Sequence, residues 1–423
     1  MSKWDSCTIG DLVEQKIIAP PIDGNHGEIH PKGSDFTCSG IPFIMASDIN
    51  DSYINLSKCK YISKTQADGL RKGFAIEGDV LLTHKATIGR AAIVPKILFP
   101  YLMLTPQVTY YRVLNKEKLD NRFLKYYFDY KPFQETLGLW AGAGSTRAYL
   151  GITGQHNLSL RITDIFTQGR IADVLSSIDA KIILNNLINH ELEMMARTLY
   201  DYWFVQFDYP DANGKPYKTS GGKMVYKPTL KREIPEGWGC GTLLDIATFT
   251  NGLACQKYRP KNEQSYRVIK IREMGEGFTD NSELVTVNIP EKVIVNNGDV
   301  LFSWSATLDV KIWAGGKGAL NQHIFKITSI EYPKSYYYFQ LLNYLQHFKM
   351  MAELRKTTMG HITQEHLQQS VITIPPIDLI TQLDEVIKPI LEKKVKLEEE
   401  NQQLAQLRDW LLPMLMNGQV KVQ

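Results

Sequence analysis

The sequence is short of several things, and each shortage removes a class of protein. It holds five cysteines in 423 residues: Cys7, Cys38, Cys59, Cys240 and Cys255. Their number is odd, and no C-x-x-C pair or cysteine–histidine ligand spacing occurs. Neither a disulfide framework nor a zinc site is written into the chain, and free thiols are the expectation. No apolar run reaches the ~18–20 residues of a membrane span, and the opening MSKWDSCTIGDL lacks an apolar signal core. A soluble, cytoplasmic protein is expected. The net charge is only +3, too little for a non-specific nucleic-acid coat, although local basic patches remain open.

Catalytic signatures are missing as well. No G-x-x-x-x-G-K-[ST] phosphate loop occurs, so ATP hydrolysis is not encoded. An adenine methyltransferase needs an Asn-Pro-Pro-aromatic or Asp-Pro-Pro-Tyr motif to grip its base, and neither is present. AGAGS (141–145) lacks the third glycine of a cofactor loop and follows helix-like sequence, so a turn or a loop near DNA fits it better. Asp378, Glu392 and Lys394 imitate a nuclease's carboxylates and lysine, but all three fall in one long helical stretch, and coincidence explains them.

What is present is ordinary globular composition, 43% hydrophobic and 22% charged, enough for two or three domains. In mid-chain, Thr163 to Phe204 contains no proline and a single glycine, Gly169. Ile171, Leu175, Ile178, Ile182, Asn185, Asn189, Leu192, Ala196 and Leu199 recur at steps of 4 and 3. That is a coiled-coil seam, and the rod it predicts is ~55–60 Å long. A second seam runs through Ile380, Leu383, Ile387, Ile390, Lys394, Leu397, Asn401, Leu404, Arg408 and Leu411, with Pro389 expected to kink it.

Each rod follows a similar stretch. Short β-branched runs bounded by glycine and proline, such as IPFIM (41–45) and QVTYYRV (107–113), are strand signals. A helix with a break at Pro132 is expected over 119–139. GDVLLTHKAT (78–87) returns as GDVLFSWSAT (298–307), with six identities in ten positions. TPQVTYYRV (105–113) returns loosely as NQHIFKIT (321–328), and Ile-Thr-x-x-His at 152–156 returns at 362–366. A repeat of about 210–230 residues is one domain built twice. The expected class is α+β: two mixed α/β domains at 1–163 and 238–374 and two long antiparallel helices at 164–204 and 375–417. A linker or long loop at 205–237 and a tail at 418–423 complete the chain. Pseudo-twofold symmetry with a fixed spacing suits a two-part DNA site.

These segments together resemble a known family. The helix IADVLSSIDAKIILNNLINHELEMMARTLYDYWFVQFD (171–208), the stretch KREIPEGWGCGTLLDIA (231–247) and the closing QQLAQLRDWLLPMLMNGQVKV (402–422) are similar to type I restriction–modification specificity subunits. The resemblance covers nearly the whole chain. It implies two target recognition domains, each contacting one half of a bipartite, asymmetric double-stranded DNA sequence. It also implies a helix pair that sets the spacer and docks two adenine methyltransferase subunits, joined by motor–nuclease (helicase–nuclease restriction) subunits. The chain itself would have no catalytic centre, no metal and no cofactor; S-adenosylmethionine, ATP and Mg²⁺ would belong to the partner subunits. A stand-alone DNA-modifying enzyme is opposed by the missing motifs, and a coiled-coil protein adaptor by the polar loops of the repeat.

Base reading needs paired donors and acceptors, with Lys or Arg anchoring phosphates. After the first GDVL come Thr83, His84, Lys85, Thr87 and Arg90; after the second come Ser303, Trp304, Ser305, Thr307 and Lys311. Gln107, and Asn321 with Gln322, are amides suited to adenine. The loops Ser145-Thr146-Arg147 and Lys356-Thr357-Thr358 suit phosphate. Gly78 and Gly298 should permit a tight turn capped by Asp79 and Asp299. His156 and His366 should share a structural hydrogen bond. The seam amides Asn185, Asn189 and Asn401 should fix register. Tyr200, Tyr202, Trp203 and Phe204 fit either burial against the second domain or a subunit docking patch.

Overall fold

Both seams are helices in the computed structural model, which describes residues 4–50, 53–142, 148–261, 264–354 and 361–420. The central helix is Ile165–Tyr200 and the C-terminal helix Ile377–Met416. Asp164 starts the first: its carboxylate accepts from the Thr167 amide at 2.9 Å, satisfying one of the free amides of the opening turn. The C-terminal helix instead starts on Pro376, whose carbonyl accepts from the Leu379 and Ile380 amides. It runs unbroken through Pro389 and also through Pro413.

The chain divides into two compact units, Met1–Lys181 with Leu404–Gln423, and Ile182–Gln403. Each contains one mixed α/β domain and a segment of both helices. In the first, a four-stranded antiparallel sheet has the order Thr87–Ile93, Val80–Lys85, Val108–Tyr111, Ile22–Asp23. A five-stranded sheet is built around a parallel pair, Ile41–Ile44 and Leu102–Leu104. Asp5–Thr8 pairs with Ser159–Ile162 and leads into the helix Ile9–Glu14, which Thr8 and Asp11 close as a capping box. Two helices, Asn121–Asp129 and Lys131–Trp140, cover the sheet. The break comes at Tyr130, just ahead of Pro132, because proline is tolerated in a helix's first turn.

The second unit repeats this plan, with four strands in the mixed sheet where the first unit has five. Thr248–Asn251, Ile324–Thr328, Val300–Ser303 and Asp309–Ile312 form the antiparallel sheet. Ser265–Ile269 and Gly318–Leu320 form the parallel pair of the other sheet. Gly239–Thr242 pairs with Val371–Ile374, and Thr242 with Asp245 caps the helix that follows. A 21-residue helix, Lys334–Leu354, takes the place of the two shorter ones and supplies Tyr336, Phe339 and Phe348 to the core.

Two glycines at equivalent places carry the repeat into the backbone packing. Gly24 packs so tightly that a Cβ there would stand 2.0 Å from the Leu104 carbonyl oxygen; at Gly252 it would stand 2.2 Å from that of Asn321. Both neighbours are backbone and cannot swing away. Gly24→Ala and Gly252→Ala should therefore each cost about 1–3 kcal/mol through forced backbone shift. Urea denaturation of each variant against the parent checks this.

The helices pack on these domains along their seams. Ile171, Ala172 and Leu175 share the first core with Leu412, Leu415 and Met416. Ala196 and Tyr200 share the second with Ile380, Leu383 and Ile387. Within the second unit the Asn185 amide donates to Asn401 at 2.9 Å, and Lys394 pairs with Glu193 at 3.2 Å. Numbers rise on one helix as they fall on the other, so the pair is antiparallel, and Asn185 and Asn401 bond across its seam.

The segment after the central helix is more ordered than its proline, glycine and lysine content suggests. Met224–Lys227 and Arg232–Pro235 form a hairpin. Tyr209 stacks between Tyr217 and Trp238, with ring centroids 4.7 and 5.5 Å away. Asp208 accepts from the amide and hydroxyl of Thr219 at 2.7 Å. Aromatic stacking and local side-chain bonds supply the order that an apolar pattern would otherwise announce. All five cysteines are free thiols. Among the described residues, no helix is long and apolar enough to cross a membrane.

Candidate nucleic-acid interface

Strand register fixes which residues of the two domains are equivalent. Val108 lies opposite Thr83, and Ile324 opposite Ser303. Thr83 and Ser303 therefore match, as do His84 and Trp304. The GDVL strand begins each time on a left-handed glycine, Gly78 (φ +86°) or Gly298 (φ +87°). Asp79 accepts from the Ile76 amide and Asp299 from the Asn296 amide, both at 2.8 Å, so these aspartates cap the turn as the motif requires. The strand ends each time on a left-handed alanine, Ala86 (φ +63°) and Ala306 (φ +56°). A non-glycine residue there is uncommon and strained. Its recurrence marks one sharply bent tip, built twice.

The tip sorts the candidate residues. Thr83 and Ser303 are fully buried. The Thr83 hydroxyl oxygen accepts from the Arg90 amide at 2.9 Å, and the Ser303 hydroxyl donates to the Thr307 carbonyl at 2.7 Å. His84 is fully buried, its Nδ1 2.9 Å from the Leu150 carbonyl, and Ser305 is buried beside Trp304. These four shape the turn and do not face solvent, which corrects their assignment as direct DNA contacts. They sit one strand-end too early: the strand is inside the sheet until Lys85. Lys85, Arg90 and Thr307 are exposed; Thr87, Gln107, Trp304, Lys311 and Gln322 are partly so. Arg90 is anchored by donating to the Ile49 carbonyl at 3.1 Å. Asn321 is nearly buried and accepts from the His323 amide at 3.3 Å. Ser145, Thr146, Arg147, Lys356, Thr357 and Thr358 lie outside the described residues.

One partly exposed position escapes a reading by residue type. The His84 amide donates to the Gln107 carbonyl, and the Trp304 amide to the His323 carbonyl. His323 is thus the partner of Gln107, and its ring lies 5.7 Å from that of Trp304. The echo of TPQV in NQHI carried this signal by position, and choosing amides hid it. The His361 ring also lies against Trp304, at 5.5 Å, where the first domain sets Tyr149 against His84 at 5.6 Å.

Burial holds the His84 imidazole below its ordinary pKa, with the Leu150 carbonyl opposing. The sign follows from linkage: the unfolded state takes up a proton that the native state refuses. The stability of neutral His84 is whole above the ordinary value near ~6.5 and is withdrawn as pH falls through it. Denaturation midpoints should fall between pH 7.5 and 5.5, and His84→Gln should flatten that slope.

His366 makes a structural bond, its Nδ1 accepting from the Thr363 amide at 3.0 Å. In the first copy the buried tie is made beside the histidine, by Gln155, which accepts from the Tyr111 hydroxyl at 2.6 Å. Of the aromatic quartet, Tyr200 and Phe204 are buried in the second core and are not a surface patch. A π-helical turn at Asp201–Val205 continues the helix, and Tyr202 and Trp203 retain exposed or half-buried surface.

Comparison with known proteins decides what these tips belong to. The model of the type I restriction modification DNA specificity domain matches twice, over residues 1–194 and 235–408. The chain belongs to that family. It is 25% identical to the MjaIX specificity subunit of Methanocaldococcus jannaschii over 99% of this chain and 94% of that one. It is 25% identical to the HindI specificity subunit of Haemophilus influenzae over 62% and 69%. The fold matches a crystal structure of a type I restriction–modification S subunit from M. genitalium, with TM-score 0.56 and 13% identity over 98% of this chain and 96% of that one. This is a DNA specificity subunit, a non-catalytic member of a type I system.

Proposed function

We propose that this specificity subunit reads a bipartite, asymmetric DNA site, one half with residues 1–163 and the other with 238–374. The two long helices set the spacer and carry two adenine methyltransferase subunits, which restriction subunits join. One observation carries the reading: the same antiparallel sheet, the same parallel strand pair and the same strained tip are built twice, with different side chains at equivalent positions around the tip. Exposed Lys85 stands where buried Ser305 does, and partly exposed Gln107 where partly exposed His323 does. Equal scaffolds with unequal tips suit two half-sites of unequal sequence. Tyr202 and Trp203 at the end of the central helix are the residues left for subunit docking.

Mapping methylated adenines in the host with and without the gene tests this. One bipartite motif should depend on the gene, and its persistence in the deletion strain would end the proposal. Replacing residues 1–163 with those of a relative should change one half of the motif completely and leave the other intact. A change in both halves would refute the one-domain, one-half assignment.

A further inference from the structure

The parallel strands of the first unit, Ile41–Ile44 and Leu102–Leu104, end at one place. Met45 follows the first and Thr105 the second, and both line a cleft of about 390 Å³. His26, His30, Phe36, Phe43, Lys85 and Gln107 are among the other residues that line it. The crevice beyond the carboxyl ends of parallel strands is a recurrent ligand site, because side chains there are released from the sheet's own packing.

The chemistry of the cleft is mixed in a particular way. The His30 and Phe43 rings lie 5.6 Å apart and form an apolar wall. The Thr105 hydroxyl is buried, with no hydrogen-bond partner among the described residues. A buried polar atom in that state is rare, and a ligand atom arriving in the cleft would complete it. Burial lowers the His30 pKa, with a hydrogen bond to the Asn25 backbone opposing, so the ring is neutral at neutral pH and can present a nitrogen to a ligand. Gln107 adds an amide and Lys85 a cation, and no carboxylate lines the cleft. The nearby Asp23 is occupied by His26 at 2.6 Å and by Lys72. Burial alone would raise its pKa, yet these two partners hold it below the usual carboxylate range. A cleft with neutral donor–acceptor pairs, one lysine and no free acid fits a base edge on an anionic polymer and repels nothing that DNA brings.

We propose that this cleft takes the major-groove edge of a base pair in the half-site read by the first domain, with Gln107 and His30 as reading groups and Lys85 on the adjoining phosphate. The inference rests on the reading that this domain contacts DNA, and adds where it does so. An amide matches the N6/N7 edge of adenine, while a lysine on phosphate positions without selecting. The second domain has the same strand ends, followed by Lys270 and Asn321, with Gln322 and His323 next in line. The position is shared and the donors differ, as two unequal half-sites require.

The test uses the full complex in cells. Gln107→Ala and His30→Ala should each make one position of one half-site degenerate, with preference there falling about 10- to 100-fold. The other half should be read as before, which also reports an assembled complex. Lys85→Ala should weaken methylation at all sites alike and leave the motif unchanged. If both reading variants keep the parent motif at full stringency, the cleft assignment is wrong. If methylation vanishes, the purified complex is given cognate duplex and duplex scrambled in one half. Lost preference with retained non-specific binding supports the cleft, and retained preference overturns it. A motif that responds to exchange of the whole domain but to neither point variant sinks the cleft and spares the domain assignment. Indifference to both sinks the two together.

Discussion

Asp179→Ala should destabilise the first unit by about 3–5 kcal/mol, the range for removing one partner of a buried ionic group. The residue lies on the central helix and is nearly buried. Its carboxylate accepts from the Tyr126 hydroxyl at 2.7 Å, from Arg408 of the C-terminal helix at 3.0 Å and from Lys125 at 3.2 Å. Burial alone would raise its pKa, but Lys125, Tyr126 and Arg408 outweigh that and hold it below the ordinary carboxylate value. Its contribution is therefore complete above ~4 and is lost as pH falls through the depressed native value. Without it, Lys125, itself only 2% exposed, loses a carboxylate partner, while Asp129 stays at 2.8 Å. Arg408 suffers less, since Asp409 remains at 2.9 Å. Lys125 is the more deeply buried of the two cations, its side chain 3% exposed against 19% for Arg408, so the damage should lie mainly there. The double variant Asp179→Leu with Lys125→Met should recover much of the loss, because replacing a buried pair with apolar volume is often neutral. Urea midpoints of the three proteins measure both effects; a single variant within 1 kcal/mol of the parent would deny the network its weight.

The sequence made the helices legible and the tips much less so, for a physical reason. A seam of period 3.5 repeats over many turns, so the bounds of both rods fall within a few residues of those read from periodicity. The GDVL turns were legible because glycine and a capping aspartate are needed wherever that turn is made. Exposure was not legible. Thr83, His84 and Lys85 are consecutive polar residues, and only the sheet decides that the first two point inward. The close approach of Gly24 to Leu104, and of Gly252 to Asn321, joins segments about 70–80 residues apart, which no local pattern announces. The 205–237 segment misleads in the opposite direction. Its proline, glycine and lysine content is that of a linker, while its order comes from a hairpin, stacked aromatic rings and turns held by Asp208 and Asp211.

Inserting one heptad into the central helix after Asn189 should abolish methylation of the parent motif. The seven residues advance the helix ~10.5 Å. Asn185 still meets Asn401, but Glu193 leaves Lys394, and Ala196 and Tyr200 slide past Ile380, Leu383 and Ile387. A register held by polar pairs on the seam resists such slippage, since each displaced pair leaves a buried group unsatisfied. A second heptad placed after Leu397 restores every opposition, because Asn189 and Leu397 fall at the same level of the antiparallel pair. That double insertion should fold and assemble, which isolates length from register. If the rods are the ruler, the spacer of the motif grows by roughly three base pairs at ~3.4 Å each. Three base pairs also turn B-DNA by nearly a third of its ~10.5-pair helical repeat, whereas a heptad scarcely rotates the rod. The lengthened protein must therefore meet its second half-site from a rotated face. Methylation should be weaker than in the parent, by about tenfold or more, even at the lengthened motif. Mapping methylated adenines in the strain carrying the double insertion decides the matter. The parent spacing at full efficiency would show that distance along DNA is set elsewhere than in these helices.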